Sequence, residues 1–157
     1  MRFNSINEID KFRFDDCVLK ECSIDESGIT LMVEALIVKA DNSQNSNYTE
    51  SYAGEAAINM PGAKVSGLIR DGYRKYDADD NLIEQVEDES LPVNALNFKE
   101  MFNNQYLTDI SALKEGEYRI GFEIADEDPT AITDSYTMVV QCESISVSWD
   151  RYMNRVQ

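Results

Sequence analysis

Histidine is absent from this 157-residue sequence. Its absence excludes Ser–His and Cys–His nucleophiles, histidine-ligated zinc and acid–base catalysis by imidazole. The seven glycines form neither a G-x-G-x-x-G nor a G-x-x-x-x-G-K-[ST] motif, so nothing indicates a nucleotide cofactor. We therefore expect no cofactor, no metal centre and no catalytic residue. An enzyme with this sequence would have to rely on carboxylates or tyrosines alone.

Cysteines and long apolar runs are also scarce. An odd number of cysteines, three in all, is typical of ordinary thiols in a reducing compartment rather than of a secreted disulfide framework. Residues 1–16 contain no apolar core of the length that a signal peptide needs, and no window approaches a membrane span. The sequence therefore predicts a cytoplasmic protein without a membrane partner.

Basic residues are few relative to acidic ones. The 14 lysines and arginines stand against 30 aspartates and glutamates, which gives a formal net charge of −16 at pH 7. Such a surface repels phosphate backbones, so we expect no nucleic-acid partner, whereas a basic protein or a cation is a natural one. The alternative is that the charge only keeps the protein soluble.

What the sequence does contain is enough apolar material for one folded domain over residues 1–157, since apolar residues make up 43% and aromatic residues 10%. The most apolar segment, residues 29–40, has apolar side chains at both alternating sets of positions. That composition is typical of a strand covered on both faces, so we predict a central strand there. A buried helix of the same length is the alternative.

Alternating patterns predict the remaining strands. Residues 12–22 are expected to pair with the central strand through a turn at 25–28. Further strands are predicted at 48–60, 63–76, 118–124, 136–142 and 145–149. Apolar residues at helical spacing predict one helix near 93–106. We expect a mainly β fold, all-β leaning to α+β: an antiparallel barrel or sandwich of seven to eight strands with that helix inserted. A single curled sheet with the helix across it is the alternative.

An acidic segment supplies the main functional hypothesis. Residues 77–89 carry seven carboxylates and no basic residue: Asp77, Asp79, Asp80, Glu84, Glu87, Asp88 and Glu89. Asp126, Glu127 and Asp128 form a second acidic group. We interpret both groups as the binding surface of a non-catalytic protein that engages a basic protein partner, as an immunity or inhibitor protein does.

Other interpretations of the same region stay open. Residues 77–81 place oxygen ligands at alternate positions as a calcium loop does, but Leu82 stands where an EF-hand needs glycine, and Asp88 where it needs glutamate. A weak cation site and a carboxylate pair of the glycosidase type are the alternatives. The basic residues of 63–76 either pair with the acidic loop or form a docking face of their own. These are Lys64, Arg70, Arg74 and Lys75.

Aromatic side chains at inward positions support a second hypothesis. These are Tyr52, Tyr73, Tyr118, Phe122, Tyr136 and Trp149. If they line the interior instead of filling it, the protein is a carrier of a small apolar ligand with a barrel cavity. At the end of the chain, residues 149–157 either contribute tyrosine and arginine side chains to an interface or pack over the open end of a barrel. A terminal helical turn there would place Arg151 and Arg155 on one side.

Overall fold

The computed structural model of the protein describes residues 1–93, 98–125 and 133–156. It confirms the expected mainly β, antiparallel class, with 59% of the described residues in strands. A 3-10 turn, Ile9–Lys11, and one α-helix, α1 (Phe98–Phe102), accompany the strands. The strands are β1 (Phe3–Ile6), β2 (Phe12–Arg13), β3 (Val18–Asp25), β4 (Gly28–Glu34), β5 (Ile37–Val38), β6 (Ser51–Ala53), β7 (Ala56–Pro61), β8 (Lys64–Arg70), β9 (Tyr73–Tyr76), β10 (Leu82–Val86), β11 (Glu89–Leu91), β12 (Gln105–Lys114), β13 (Glu117–Ile124), β14 (Asp134–Gln141), β15 (Ser146–Trp149) and β16 (Tyr152–Arg155).

Three antiparallel sheets contain these strands. The largest has ten strands in the order β1-β15-β7-β4-β3-β12-β13-β14-β8-β11. A four-stranded sheet has the order β16-β6-β5-β2, and β9 pairs with β10 alone. Because β1 and β11 remain edges within the described residues, the large sheet does not close on itself there. The arrangement is sandwich-like, and the closed barrel is the part of the fold prediction that the structure does not support.

The predicted hairpin between the first long strand and the central strand is present as β3 and β4. Asp25 lies opposite Gly28, and the Asp25 carboxylate accepts the backbone N–H of Ser27 at 2.8 Å. Ile29, Leu31 and Val33 alternate into the core with 2% exposure or less. Strand β4 lies between β7 and β3, so it is an interior strand of the large sheet, as predicted.

The predicted strand 29–40 is nevertheless two strands, because the chain bends sharply after Glu34. Ala35 has φ 61°, a left-handed conformation that costs about 1 kcal/mol or more for a residue with a Cβ. Beyond it, β5 belongs to the four-stranded sheet. The chain crosses between the same two sheets at residues 54–55 and again at residues 150–151.

The three crossings lie side by side. Strands β15, β7 and β4 are neighbours in the large sheet, and their continuations β16, β6 and β5 are neighbours in the same order in the small one. Backbone bonds join the crossings, from Gly54 N–H to the Arg151 carbonyl at 2.8 Å and from Ala53 N–H to the Leu36 carbonyl at 2.9 Å. We call this line of bends, residues 35–36, 54–55 and 150–151, the crease.

Two groups of packed aromatic rings lie in the core. Trp149 is fully buried, with the Phe3 ring stacked at 5.5 Å and the Phe12 ring edge-on at 5.9 Å between centroids. A second cluster stacks Phe102 of α1 on Phe122 at 4.2 Å. Such pairs each add about 1 kcal/mol beyond the burial of their area.

Local structure differs in extent or type from the expectation at two places. The helix expected near 93–106 is present, but only as the single turn of α1, and the chain is already in β12 at Gln105; residues 94–97 lie outside the described residues. Pairing of β12 with β13 and β3 prevails over the helical spacing of the apolar residues. The chain end forms β16 against β6 instead of a helical turn.

Candidate functional site

The acidic residues 77–89 lie mostly on a β-hairpin that stands apart from the large sheet. Strand β8 leaves the sheet edge after Arg70, and β11 returns to pair with β8 at Glu89 opposite Arg70. Between them, β9 and β10 pair only with each other in the described part of the chain. All five residues of β10 are exposed. We call residues 71–88 the arm.

The turn at the end of the arm is fixed by one carboxylate. Asp77 Oδ1 accepts the backbone N–H groups of Asp79 and Asn81, both at 2.9 Å. The bond from Asn81, followed by that from Asp79, holds the pKa of Asp77 below its usual value. Asp80 completes the turn with φ 61°, a conformation that aspartate adopts more readily than most residues. Asp77 therefore serves the turn and has little capacity left for a cation.

Other acidic residues of the arm have partners as well. Glu84 accepts the Tyr73 hydroxyl at 3.0 Å, and this bond raises the pKa of Tyr73. Asp88 accepts the backbone N–H of Gly72 at 2.6 Å, which ties the two strands together at the base of the arm. Glu87 accepts the side-chain amide of Gln85.

Asp79 and Asp80 are the arm carboxylates whose side chains make no hydrogen bond or ion pair in the part of the chain that the structure describes. Both are exposed at the tip. They are therefore the accessible carboxylates of the arm without a partner among the described residues. Asp126, Glu127 and Asp128, the second predicted acidic group, lie outside the described residues.

The basic residues near the arm are distributed along it rather than gathered on one face. Arg70 pairs with Asp134 at 2.9 Å. Lys75 lies opposite Glu84 in the strand register, and Arg74 lies opposite Gln85. The carboxylates of the arm still outnumber its two cations, so the arm is negative overall.

Apolar side chains are exposed on the arm among these charges. Tyr76 is 51% exposed and lies opposite Leu82, which is 49% exposed. Ile83, at the irregularity in the strand pairing, is 56% exposed, and Val86 is 41% exposed. A run of large apolar side chains left uncovered on one hairpin is typical of a surface that binds another molecule.

The six aromatic residues predicted to line a cavity do not surround a common space. Phe122, Tyr136 and Trp149 are buried within the core clusters. Tyr73 is on the arm, and Tyr52 and Tyr118 line two different pockets. At the crease and at the arm, parts of the predicted strands leave the large sheet. The aromatic side chains at the predicted inward positions therefore do not point into one common interior.

One of these pockets lies along the crease and has a volume of about 600 Å³. Its charged residues are Asp16, Glu34, Glu55 and Arg151. Tyr52, Ala35, Ala53, Gly54 and Met153 complete its walls. We call it the crease pocket. Since six of the nine lining residues are within one position of a crossing, the bend in the strands creates the concavity.

The charges of the crease pocket are largely unpaired. Asp16 accepts the Tyr52 hydroxyl at 2.8 Å, and this bond raises the pKa of Tyr52. Among the described residues, Glu34 and Glu55 have no hydrogen-bond partner for their carboxylates, and no ion pair includes Arg151. The pocket therefore presents carboxylates and a guanidinium group that are free to contact a ligand.

A second pocket, of about 590 Å³, opens between β2 and β12. Its walls include the rings of Phe12, Phe14 and Tyr118, and Lys39 and Asp109 lie among its polar residues. We call it the β2–β12 groove. Compared with the crease pocket, the β2–β12 groove has more aromatic side chains in its walls, together with polar side chains.

The described residues contain no group of three or more Asp, Glu or Cys side chains placed to hold a metal ion. Over the same ranges, no helix has the length and apolarity needed to cross a bilayer. Fold and pockets together define an antiparallel β protein with a creased, sandwich-like core and a projecting acidic arm. No protein-family model, curated protein or solved structure matches this chain.

Proposed function

We propose that this is a non-catalytic binding protein whose acidic arm engages a basic protein partner, as an immunity or inhibitor protein does. The observation that carries the proposal is the composition of the arm, where exposed Tyr76, Leu82 and Ile83 lie beside the unpartnered carboxylates of Asp79 and Asp80. Apolar side chains surrounded by charge are the usual anatomy of a protein interface.

General properties of hairpins and interfaces support a protein as the molecule that binds the arm. A two-stranded hairpin on its own is marginally stable in water, so a partner that covers its apolar side chains would also stabilise it. Tyrosine is among the residues that contribute most to interface energies. The net charge of −16 would accelerate encounter with a basic surface and disfavour acidic competitors.

The test is capture from native cell lysate at low and high salt, read by mass spectrometry, with three forms of the protein. Asp79→Asn/Asp80→Asn removes the free charges at the tip, and asparagine tolerates the left-handed conformation of Asp80. Leu82→Ala removes an apolar contact. Glu115→Gln/Glu143→Gln is the matched control, since it changes net charge equally at two exposed turns away from the arm.

We expect a basic protein that is retained at low salt and released at high salt. The tip variant should weaken binding roughly tenfold and flatten its salt dependence, whereas the Leu82 variant should weaken binding with the salt dependence unchanged. The control variant should bind as the wild type does. Equal loss in the control and the tip variant would contradict recognition by the arm.

The β2–β12 groove favours a second candidate function, the carriage of a small apolar ligand. Phe12 both lines the groove and packs edge-on against Trp149, so an apolar dye in the groove should change the fluorescence of this single tryptophan. Tyr118→Asp, which places a charge in the groove, should remove the change. Fluorescence that stays constant at saturating dye would argue against a carrier.

A further inference from the structure

The crease pocket is distinct from the arm, and it contains both negatively and positively charged side chains. Three carboxylates, those of Asp16, Glu34 and Glu55, share it with the guanidinium group of Arg151. No ion pair in the described residues joins the arginine to any of the three. A pocket whose opposite charges stay apart has room for a ligand group between them, and its best complement carries both signs of charge.

The balance of charge narrows the class of ligand. With one carboxylate engaged by Tyr52, two carboxylates and one guanidinium group of the pocket have no partner among the described residues. A ligand with two ammonium groups and one carboxylate would give each of them an oppositely charged partner. Charge-assisted bonds of this kind are roughly twice as strong as neutral ones.

The remaining walls suit an aliphatic chain. Ala35, Ala53 and Met153 are apolar, and Met153 is 56% exposed. The volume of about 600 Å³ lies within the range of pockets that hold small molecules. We propose that the crease pocket binds an aliphatic amino acid with a second ammonium group, of which L-lysine is the probe.

Arg151 is placed to fix the orientation of such a ligand. A Cβ on Gly54 would lie 3.2 Å from the Arg151 carbonyl oxygen and 3.3 Å from its Cγ, so the arginine packs closely over the glycine. The backbone bond between the two residues holds that position. The guanidinium group thus extends from an anchored stem and binds the ligand carboxylate, while Glu34 and Glu55 bind the ammonium groups.

Titration of the ¹⁵N-labelled protein at about 0.15 M NaCl, where long-range attraction to the acidic surface is largely screened, tests the proposal. Three ligands separate its parts: L-lysine, 1,5-diaminopentane, which lacks the carboxylate, and L-norleucine, which lacks the second ammonium group. We expect lysine to shift the amide signals of Ala35, Ala53 and Gly54 with a Kd of about 1 mM. Each of the other two should bind roughly tenfold more weakly.

Two variants test the assigned roles. Arg151→Gln should remove the preference for lysine over 1,5-diaminopentane, with Arg119→Gln as the matched control. Glu34→Gln/Glu55→Gln should weaken both amines about tenfold, with the Glu115→Gln/Glu143→Gln control unchanged. Shifts that are absent at about 20 mM lysine would overturn the proposal. The proposal would also be overturned if lysine and 1,5-diaminopentane bound equally well and Arg151→Gln changed neither affinity. That result would mean that the acidic surface attracts cations without recognising the ligand carboxylate.

Discussion

Gly72 sits at the base of the arm, where two backbone segments approach each other. A Cβ at this position would lie 2.1 Å from the Val86 carbonyl oxygen and 2.6 Å from the carbonyl carbon of Glu87. Because both are backbone atoms, Gly72→Ala should lower the free energy of unfolding by about 2 kcal/mol or detach the arm from its base. Urea unfolding, with amide shifts on the arm as a second readout, measures this.

Gly67, in the adjoining strand β8, is the matched control for this prediction. Its nearest neighbour for an added Cβ is the Val139 Cβ at 3.9 Å, an ordinary contact. Gly67→Ala should therefore change the free energy of unfolding by no more than about 1 kcal/mol, towards greater stability. Equal destabilisation by the two substitutions would show that the close approach at Gly72 is not what requires glycine.

Cys17 is fully buried, and burial raises the pKa of its thiol to about 12 from the ordinary value of 9.0. Between these values the unfolded chain loses a proton that the folded chain keeps, so stability is fully present below pH 9 and falls as pH rises towards 12. The slope from this group should approach about 1.4 kcal/mol per pH unit.

The measurement is the difference in urea stability between wild type and Cys17→Ala at pH values from about 7.5 to 10.5. The subtraction removes the contributions of the tyrosines and of Cys142, whose pKa is also raised by burial. We expect the wild type to be more stable at the lower end and its advantage to shrink as pH rises. A difference that stays constant would mean that Cys17 does not titrate as a buried thiol.

Cys17 also shows where alternation along a strand fails. On a regular strand the odd spacing of Cys17 and Cys22 would place them on opposite faces, yet both are buried in one core. The pairing of β3 with β4 shifts between Leu19 and Glu21, and this irregularity returns Cys22 to the core side. A bulge of one residue reverses every later position of a strand, and the sequence carries no mark of where it occurs.

At the scale of elements, the arm is a separable unit because none of its residues belongs to the buried core. Arg70 and Glu89 lie opposite each other at its base, so replacing residues 71–88 by an Asn-Gly turn would close β8 and β11 as a hairpin. We expect the shortened protein to unfold cooperatively with a Tm within about 5 °C of the wild type.

The same shortened protein separates the two proposed sites. It should lose the basic partner and keep the amide shifts that lysine produces in the crease pocket, which is built from other strands. Circular dichroism and calorimetry give the stability, and the capture experiment gives the binding. Loss of the cooperative transition would show that the arm contributes to the core after all.

Strands were predicted well where the whole predicted segment stays within one sheet. The alternation of β13, β14 and β15 is confirmed, and so is the hairpin of β3 and β4. Prediction failed at bends, since Ala35 carries no turn signal and yet takes a left-handed conformation. The helix near 93–106 is present but was predicted too long, because strand pairing takes over from local spacing at residues 105–114.

At the scale of the whole molecule, the two sites differ in how far sequence predicts them. The arm is continuous in sequence, so its charge was visible, although the role of Asp77 in the turn was not. The crease pocket draws on residues 34, 55 and 151 at the three crossings of the crease, and on residue 16, where the chain passes from β2 to β3. Of its polar residues, Tyr52 alone was singled out from the sequence as a ligand contact, since no local pattern marks the others.

The net charge of −16 leads to a prediction for the molecule as a whole. Like charges distributed over one surface repel and destabilise the compact state, and salt screens that repulsion. Salt also weakens surface ion pairs such as Arg70–Asp134, but each of these contributes only about 0–1 kcal/mol. Repulsion should therefore be the larger effect, and Tm should rise by several degrees between about 0.02 and 0.5 M NaCl.

The pH dependence of this salt effect checks its origin. Near pH 5, closer to the isoelectric point of about 4.2, the net charge is smaller, so the same addition of salt should raise Tm less than at pH 7. The arm variant Asp79→Asn/Asp80→Asn should reduce the effect no more than Glu115→Gln/Glu143→Gln does, because repulsion depends on total charge rather than on one segment. A Tm that falls with added salt at pH 7 would show that ion pairs, not net charge, dominate the electrostatics of folding.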